Sequence, residues 1–228
     1  MGQAKDWDFL PKTWHTFSPE LFRVPTALAP TQDMNAWAEV FNQWVLENKM
    51  GRRRKNVLIG YSLGGRLALH VLRAAPHLWE QVFIISSRFV IKSKEDRKKR
   101  QAADDQWSQR FLSEEWNTLI KSWNEQPALA TTVSAPAREE EHFSRELLAA
   151  ALHKWSVGRQ DWDENEFKLY QEKLIWVTGG NDSVYSSLAE DLKPHWPHAD
   201  FASVADSGHR IIFEKPAEIV SLIESRRG

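Results

Sequence analysis

The stretch from Asn56 to Leu72, NVLIGYSLGGRLALHVL, constrains the fold of this chain more than any other. It joins a short apolar run to an apolar helical run through the pentad GYSLG, whose central residue is Ser62. A simple turn at this place could use Asn-Gly, Asp-Gly or Pro. A Gly-x-Ser-x-Gly pentad between a strand and a helix is instead typical of a nucleophile elbow, a sharp turn in which glycine tolerates a close neighbouring backbone. The stretch therefore predicts a strand that ends at a catalytic serine, Ser62, and a helix that begins just after it.

On both sides of the elbow, short apolar runs alternate with amphipathic helical runs. One helix is predicted to begin after Asp33, which has the chemistry of an N-cap. Further helices are predicted over 64–72, 188–192 and 216–225. Strands that are apolar on both faces and alternate with helices indicate a mostly parallel sheet that is covered on both sides, so we predict an α/β fold. The predicted strands, of which the first is weakened by Pro25, are 22–29, 57–59, 82–86, 174–178 and 201–204.

Between Lys92 and Lys173 the composition changes to a charged, tryptophan-rich helical pattern without a convincing strand. Two apolar stripes at helical spacing lie in this block, one over 112–123 with Ser113 as its cap and one over 147–155. Because the strand pattern resumes afterwards, we predict a helical lid inserted into one α/β core. The predicted division is 1–88 for the first part of the core, 89–173 for the lid and 174–228 for the second part of the core.

Composition limits the classes of function that this chain can have. Its 228 residues are 42% hydrophobic, which suffices for one globular core. Cysteine is absent, which excludes disulfides and a cysteine nucleophile, and no HExxH or Cys/His spacing predicts a metal site. The formal net charge of −1 favours neither nucleic acid nor anionic membranes, and RRRK at 52–55 is interpreted as a solvated loop. No apolar run approaches the roughly 20 residues of a membrane helix, so we expect a cytoplasmic monomer or homodimer that needs neither cofactor nor metal.

A catalytic serine needs a histidine to accept its proton and an acid to orient that histidine. Asp182 lies in GGNDSVY, directly after the predicted strand 174–178, and His209 lies in ADSGHRIIFEKP, after the next predicted strand. The carboxyl ends of parallel strands meet at one edge of a sheet, so both side chains are expected near Ser62. Asp182 could also be a simple turn residue, and Asp206 is a rival acid that precedes the histidine too closely to support it. The predicted triad is Ser62, Asp182 and His209.

The elbow GYSLGGRLALH, the Asp182 loop and SGHRIIFEKP resemble the α/β-hydrolase superfamily. Within it, the chain is most similar to the MenH family, the 2-succinyl-6-hydroxy-2,4-cyclohexadiene-1-carboxylate synthases of menaquinone biosynthesis. The resemblance covers nearly the whole chain and is specific at the elbow and the first half of the lid, but loose between 128 and 173. Its further features are Arg66 after the elbow, Arg100, Asp104 and Trp107 in R-x-x-x-D-x-x-W spacing, and Trp123 in KSWNEQP.

The resemblance implies a lyase that eliminates pyruvate from a cyclohexene carrying several carboxylates. Ser62, polarised by His209 and Asp182, is then the base, and the backbone N–H of Leu63 is an oxyanion donor. The implied partner is a small anionic molecule, and arginine suits it because a guanidinium binds carboxylates in bidentate fashion. The implied substrate-binding residues are Tyr61, Arg66, Arg100 and Trp123, with either Arg138 or Arg145 as a third arginine.

The start of the chain departs from the family pattern. The family has strands that lead to an HGF loop, which supplies a second oxyanion donor, whereas MGQAKDWDFL resembles the text just after that loop. We therefore expect the first strands to be missing, including one between the 22–29 strand and the elbow strand, either because translation starts upstream or because the chain is a degraded copy. LAPTQD also replaces the family's Asp and Gly-His-Gly. Two alternatives therefore stay open: a carboxylic-ester or thioester hydrolase of the same fold, and an inactive truncated homologue.

Overall fold

A computed structural model describes residues 2–48, 56–130 and 136–226 of the chain. The solvated loop predicted at 52–55 lies outside these residues. Within these ranges, four strands form one sheet in the order β1-β2-β3-β4, and every neighbouring pair is parallel. The predicted α/β class with a parallel sheet is therefore confirmed. The strands are β1 (Asn56–Tyr61), β2 (Trp79–Ile85), β3 (Leu174–Gly179) and β4 (Asp200–Val204).

The prediction of a strand at 22–29 is wrong, because this segment forms bends and turns. Pro25 has no N–H to donate to a ladder. The Thr26 side chain accepts a hydrogen bond from the Leu28 N–H at 3.2 Å, and the Thr26 carbonyl accepts one from the Ala29 N–H at 3.0 Å, which closes a turn. Within the described ranges β1 pairs only with β2 and is an edge strand of the sheet.

Helices connect the strands, and side-chain caps begin several of them. Asp33 Oδ1 accepts hydrogen bonds from the Asn35 and Ala36 amides, at 2.9 and 3.0 Å, as the sequence predicted for the first helix. The helices are α1 (Met34–Glu47), α2 (Leu63–Ala74), α3 (Lys94–Ser113), α4 (Trp116–Asn124), α5 (Pro127–Ala130), α6 (Arg145–Lys154), α7 (Ser183–Leu192), α8 (Ile211–Glu214) and α9 (Pro216–Arg226). Short 3₁₀ turns cover Ala4–Trp7, Pro76–Leu78, Glu140–His142, Val157–Arg159 and Glu164–Lys173.

The described residues between β2 and β3 form helices and 3₁₀ turns joined by irregular stretches, without a strand, and α3 packs along α6. The Ser108 hydroxyl of α3 donates to the Ala149 carbonyl of α6 at 2.9 Å. Ser113 does not cap the following helix as predicted, because it is the last residue of α3. The cap of α4 is Glu115, whose carboxylate accepts from two amides at its N-terminus. The division into core and lid stays a prediction.

The central strands β2 and β3 are buried on both faces, and successive side chains along a strand point to opposite faces. In β2, Val82 and Ile84 belong to one apolar cluster, and Phe83 and Ile85 belong to another. The first cluster joins the sheet to α1 and α2, and the second joins it to α9. This arrangement fixes the carboxyl ends of all four strands at one edge, where loops can present side chains to a common site.

Candidate active site

Ser62 lies at the sharp turn between β1 and α2, with φ 53° and ψ −112°. A non-glycine residue in this conformation is strained, and such strain persists only where neighbouring structure enforces it. The Ser62 N–H donates to the Ile85 carbonyl and the Ser87 hydroxyl donates to the Ser62 carbonyl, each at 2.8 Å. Backbone bonds to β2 and its following loop therefore hold the serine in the geometry of a nucleophile elbow.

The glycines of the elbow have different roles. A Cβ on Gly60 would lie 2.6 Å from the Gly64 carbonyl carbon, and a Cβ on Gly65 would lie 2.6 Å from Ser87 Cβ. A Cβ on Gly64 would meet nothing within 4 Å. The close backbone approach therefore requires glycine at 60 and 65, and the pentad's second glycine, Gly64, is not the constrained one.

The three residues of the predicted triad lie together. His209 Nε2 is 3.2 Å from Ser62 Oγ, and His209 Nδ1 is 3.2 Å from Asp182 Oδ2. Asp182 and His209 are buried, with 5% and 3% of their surfaces exposed. With the proton on Nδ1 donated to the carboxylate, Nε2 is free to accept the serine proton, which is the arrangement that activates a hydroxyl. Asp206 is exposed with φ 52°, a turn position, so the structure gives the rival acid no place in the site.

The loops that carry Asp182 and His209 are joined to one another. Asp182 caps α7, where its Oδ1 accepts from the Tyr185 N–H at 3.2 Å, and the Asn181 N–H donates to the Ser207 carbonyl at 2.8 Å. Glu214 Oε2 accepts from the Gly208 N–H at 2.6 Å, next to the histidine. Glu214 was not predicted as a site residue, although it follows His209 closely in SGHRIIFEKP, at the end of α8.

The backbone N–H of Leu63 is the first amide of α2 and lies beside Ser62. The Gly65 and Arg66 amides bond the Ser62 carbonyl, whereas no described group accepts from the Leu63 N–H. A helix N-terminus with a free amide favours a negatively charged oxygen. The predicted oxyanion donor therefore has an amide without a described partner beside Ser62, and its role stays a prediction.

Ser62 opens into a cavity of about 1210 Å³, which also runs along β1. This exceeds the roughly 300–1,000 Å³ of common ligand sites. Apolar side chains, including those of Phe111 and Trp123, form part of its walls, and Trp123 meets Trp107 edge-on with 5.0 Å between ring centroids. Of the residues that the structure describes, five arginines also line the cavity: Arg66, Arg88, Arg100, Arg138 and Arg210.

Two of the predicted substrate-binding arginines lie together in this cavity. Arg66 donates to the Trp155 carbonyl at 2.8 Å, and Arg100 forms an ion pair with the buried Asp104, also at 2.8 Å. Burial, aided by the neighbouring Arg100 and opposed by Asp104, lowers the pKa of Arg66 to about 10. Among the described residues, the Arg66 guanidinium thus has a carbonyl partner but no carboxylate.

The two candidates for a third arginine have different surroundings. Arg138 lines the cavity, donates to Asp6 at 2.8 Å and to Gln3 at 3.2 Å, and so joins the helical segment to the start of the chain. Arg145 does not line the cavity, and it bonds the carbonyls of Phe111 and Glu114 and the carboxylate of Glu140. The geometry therefore favours Arg138 over Arg145.

Tyr61 and Tyr185 flank the histidine from two sides. Their ring centroids are 5.6 and 4.4 Å from that of His209. Burial raises the pKa of Tyr61, so its hydroxyl stays protonated. Sequence reasoning proposed Tyr61 but missed Tyr185, Arg88 and Arg210, the last of which donates to Asn124 at 2.5 Å.

None of the described helices combines the length and the apolar composition that a membrane span requires.

The chain is similar in sequence to curated proteins. The chain is 30% identical over 169 residues to the 2-succinyl-6-hydroxy-2,4-cyclohexadiene-1-carboxylate synthase of Escherichia fergusonii, which covers 72% of the chain and 65% of that protein. The Escherichia coli K12 synthase is 28% identical over 168 residues, with the same coverage of 72% and 65%. The match therefore spans about 65% of the length of these curated relatives.

Solved structures show the same fold. MenH from S. aureus matches with a TM-score of 0.81 at 16% identity, over 98% of this chain and 88% of that one. A thermophilic esterase from Thermogutta terrifontis matches with a TM-score of 0.69 at 16% identity, over 98% and 84% of the two chains. The model of the alpha/beta hydrolase family matches residues 6–222. With this match over nearly its whole length, the chain belongs to the alpha/beta hydrolase family.

Proposed function

We propose that this protein is a lyase that eliminates pyruvate from a cyclohexene bearing several carboxylates, as its similarity to the 2-succinyl-6-hydroxy-2,4-cyclohexadiene-1-carboxylate synthases suggests. The observation that carries the proposal is the combination of the Ser62–His209–Asp182 chain, with two contacts of 3.2 Å, and a cavity lined by five arginines. A general esterase needs the first feature but has no use for so many guanidinium groups.

The proposed reaction begins with His209 drawing the proton from Ser62 Oγ. The serine oxygen then takes a proton from the substrate ring, the freed electron pair forms a new ring double bond, and the C–O bond to the enolpyruvyl group breaks. The imidazolium proton is available for the departing enolate, so charge and protons balance. Asp182 keeps the imidazole in the required tautomer and stabilises its cation. No acyl-enzyme forms.

The arginines supply the electrostatic part of this chemistry. A substrate with several carboxylates brings several negative charges into a partly buried cavity, where fixed guanidinium groups bind them in bidentate fashion and keep their own charge. Arg66 and Arg100 are proposed to fix the substrate close to Ser62, and Trp123 to pack against its ring. The free Leu63 N–H would stabilise negative charge that develops during proton abstraction.

The second candidate is a carboxylic-ester or thioester hydrolase, in which Ser62 attacks a carbonyl instead of a proton. It is favoured by the likeness to the Thermogutta terrifontis esterase and by the position of the Leu63 N–H. The two reactions differ in whether a covalent intermediate accumulates.

The deciding experiment offers the protein the enolpyruvyl cyclohexene and, separately, p-nitrophenyl butyrate. Pyruvate is measured through lactate dehydrogenase, and p-nitrophenol by its absorbance. The proposal expects pyruvate release that disappears in S62A, without an acyl adduct in the intact-protein mass spectrum. A p-nitrophenol burst without pyruvate release would favour the hydrolase, and neither activity would favour the inactive homologue.

A further inference from the structure

Arg88 is a cavity arginine to which neither the sequence nor the triad gives a role. It follows β2, whose carboxyl end lies at the same edge of the sheet as Ser62, and it lines the same cavity. The loops after β1, β3 and β4 deliver the three residues of the triad to this edge. The loop after β2 carries Arg88, so the loop after each described strand contributes a side chain to this edge.

Arg88 differs from the other arginines of the cavity in its partners. Arg100 is paired with Asp104, and Arg138 with Asp6. Arg66 and Arg210 donate to uncharged oxygens of Trp155 and Asn124. Within the ranges that the structure covers, Arg88 has neither a hydrogen bond nor an ion pair.

The surroundings of Arg88 make a lone cation unfavourable. Burial lowers the pKa of Arg88, and the nearby Arg100 acts in the same direction, while Tyr185 and, more weakly, the carboxylate of Asp96 oppose it. Arg88 in turn contributes to lowering the pKa of Arg66. A charge kept in a partly buried place among like charges costs stability unless an anion compensates it. Charged groups in this state are concentrated at functional sites.

We propose that Arg88 binds one carboxylate of the ligand, on the β2 side of the cavity, while Arg66 and Arg100 bind others. The inference rests on the proposed function in one respect, the polycarboxylate nature of the ligand. It adds a binding residue, and it predicts that the site prefers ligands with more than one carboxylate. Arg88 takes no part in proton transfer, since the triad is complete without it.

The test measures binding by calorimetry with two probes, tricarballylate, which has three carboxylates, and butyrate, which has one. The variants are R88Q, which removes the charge, R88K, which keeps the charge without the bidentate fork, and R23Q, a matched control at an exposed position outside the cavity. Wild type is expected to bind tricarballylate more tightly than butyrate. R88Q should weaken tricarballylate binding about 10- to 100-fold, as expected for a lost charged hydrogen bond. The tricarballylate affinity of R88K should lie between those of wild type and R88Q, and the affinity of R23Q should equal that of wild type.

Thermal melting of the ligand-free proteins separates binding from a structural role. A cation without a partner contributes nothing to stability, so R88Q should melt at or above the wild-type temperature. A fall of about 2–4 °C or more would indicate a structural arginine and overturn the inference. So would an unchanged tricarballylate affinity in R88Q, or an absence of saturable binding by wild type.

The outcome is independent of the proposed reaction. Arg88-dependent tricarballylate binding without pyruvate release from the enolpyruvyl cyclohexene would refute the reaction and leave the inference standing. Pyruvate release with equal KM in wild type and R88Q would refute the inference and leave the reaction standing.

Discussion

Replacement of Gly65 by alanine tests whether the elbow is held by the close contact of α2 with the loop after β2. The added Cβ would lie 2.6 Å from Ser87 Cβ and 2.8 Å from Ser87 Oγ, distances that real Cβ atoms do not tolerate. The matched control is G64A, because a Cβ on Gly64 meets nothing within 4 Å. The two glycines are neighbours in the first turn of α2, so both variants gain the same helix propensity of up to about 1 kcal/mol.

The difference between the two variants isolates the steric term. Overpacking of this kind costs about 1–3 kcal/mol, so G65A should be less stable than G64A by roughly 2 kcal/mol. For a chain of this length that corresponds to about 4–8 °C in melting temperature. Because Ser87 Oγ bonds the Ser62 carbonyl at 2.8 Å, displacement of Ser87 should also disturb the serine.

The assay is thermal unfolding followed by circular dichroism on wild type, G64A, G65A and G65A/S87G. The last variant removes the side chain that the new Cβ would meet, so it should be more stable than the sum of its single changes predicts. Equal melting temperatures for G64A and G65A would mean that the elbow relaxes without cost and that the close contact with Ser87 does not hold it.

Two further changes test the support of the histidine and the pH dependence of the fold. In E214Q, the hydrogen bond from the Gly208 N–H, at 2.6 Å, loses its charged acceptor, so the His209 loop is held less firmly. The kcat of the proposed reaction should therefore fall about 10-fold with little change in KM. An unchanged kcat would exclude this positioning role. Burial, aided by Arg73, lowers the pKa of His70 to about 2. Between pH 6.5 and 2 the unfolded chain therefore binds a proton at His70 that the folded chain does not bind. The free energy of unfolding should fall by about 1.4 kcal/mol for each pH unit below 6.5. H70Q should reduce this slope in urea titrations at pH 6.5 and 4.5, whereas H77Q, at an exposed position, should keep it; equal slopes in wild type and H70Q would contradict the assignment.

The parts of the fold that depend on local patterns could be predicted from the sequence. The elbow is encoded within a few residues, because an apolar strand, a strained serine and an apolar helix follow one another directly. The order of Asp182 and His209 after two apolar strands sufficed to predict their meeting, since parallel strands bring their carboxyl ends to one edge.

Features that depend on distant contacts were not predictable. The segment 22–29 has strand-like composition, but a strand forms only beside a partner, and the described sheet ends at β1. Arg88 stands between the apolar strand β2 and the charged run that begins at Lys92, and only the cavity distinguishes it from a solvated arginine. Arg138 and Arg145 are close in sequence, and only their opposite environments separate them.

In the proposed reaction, Ser62, His209 and Asp182 act as one base in pyruvate elimination. Groups that act as a unit lose their function together, so kcat/KM should fall by a factor on the order of 10³ or more in S62A and in H209A, and S62A/H209A should fall no further than either. The measurement is single-turnover pyruvate release by the four proteins. Losses that multiply in the double variant, or a single variant with full activity, would contradict the account.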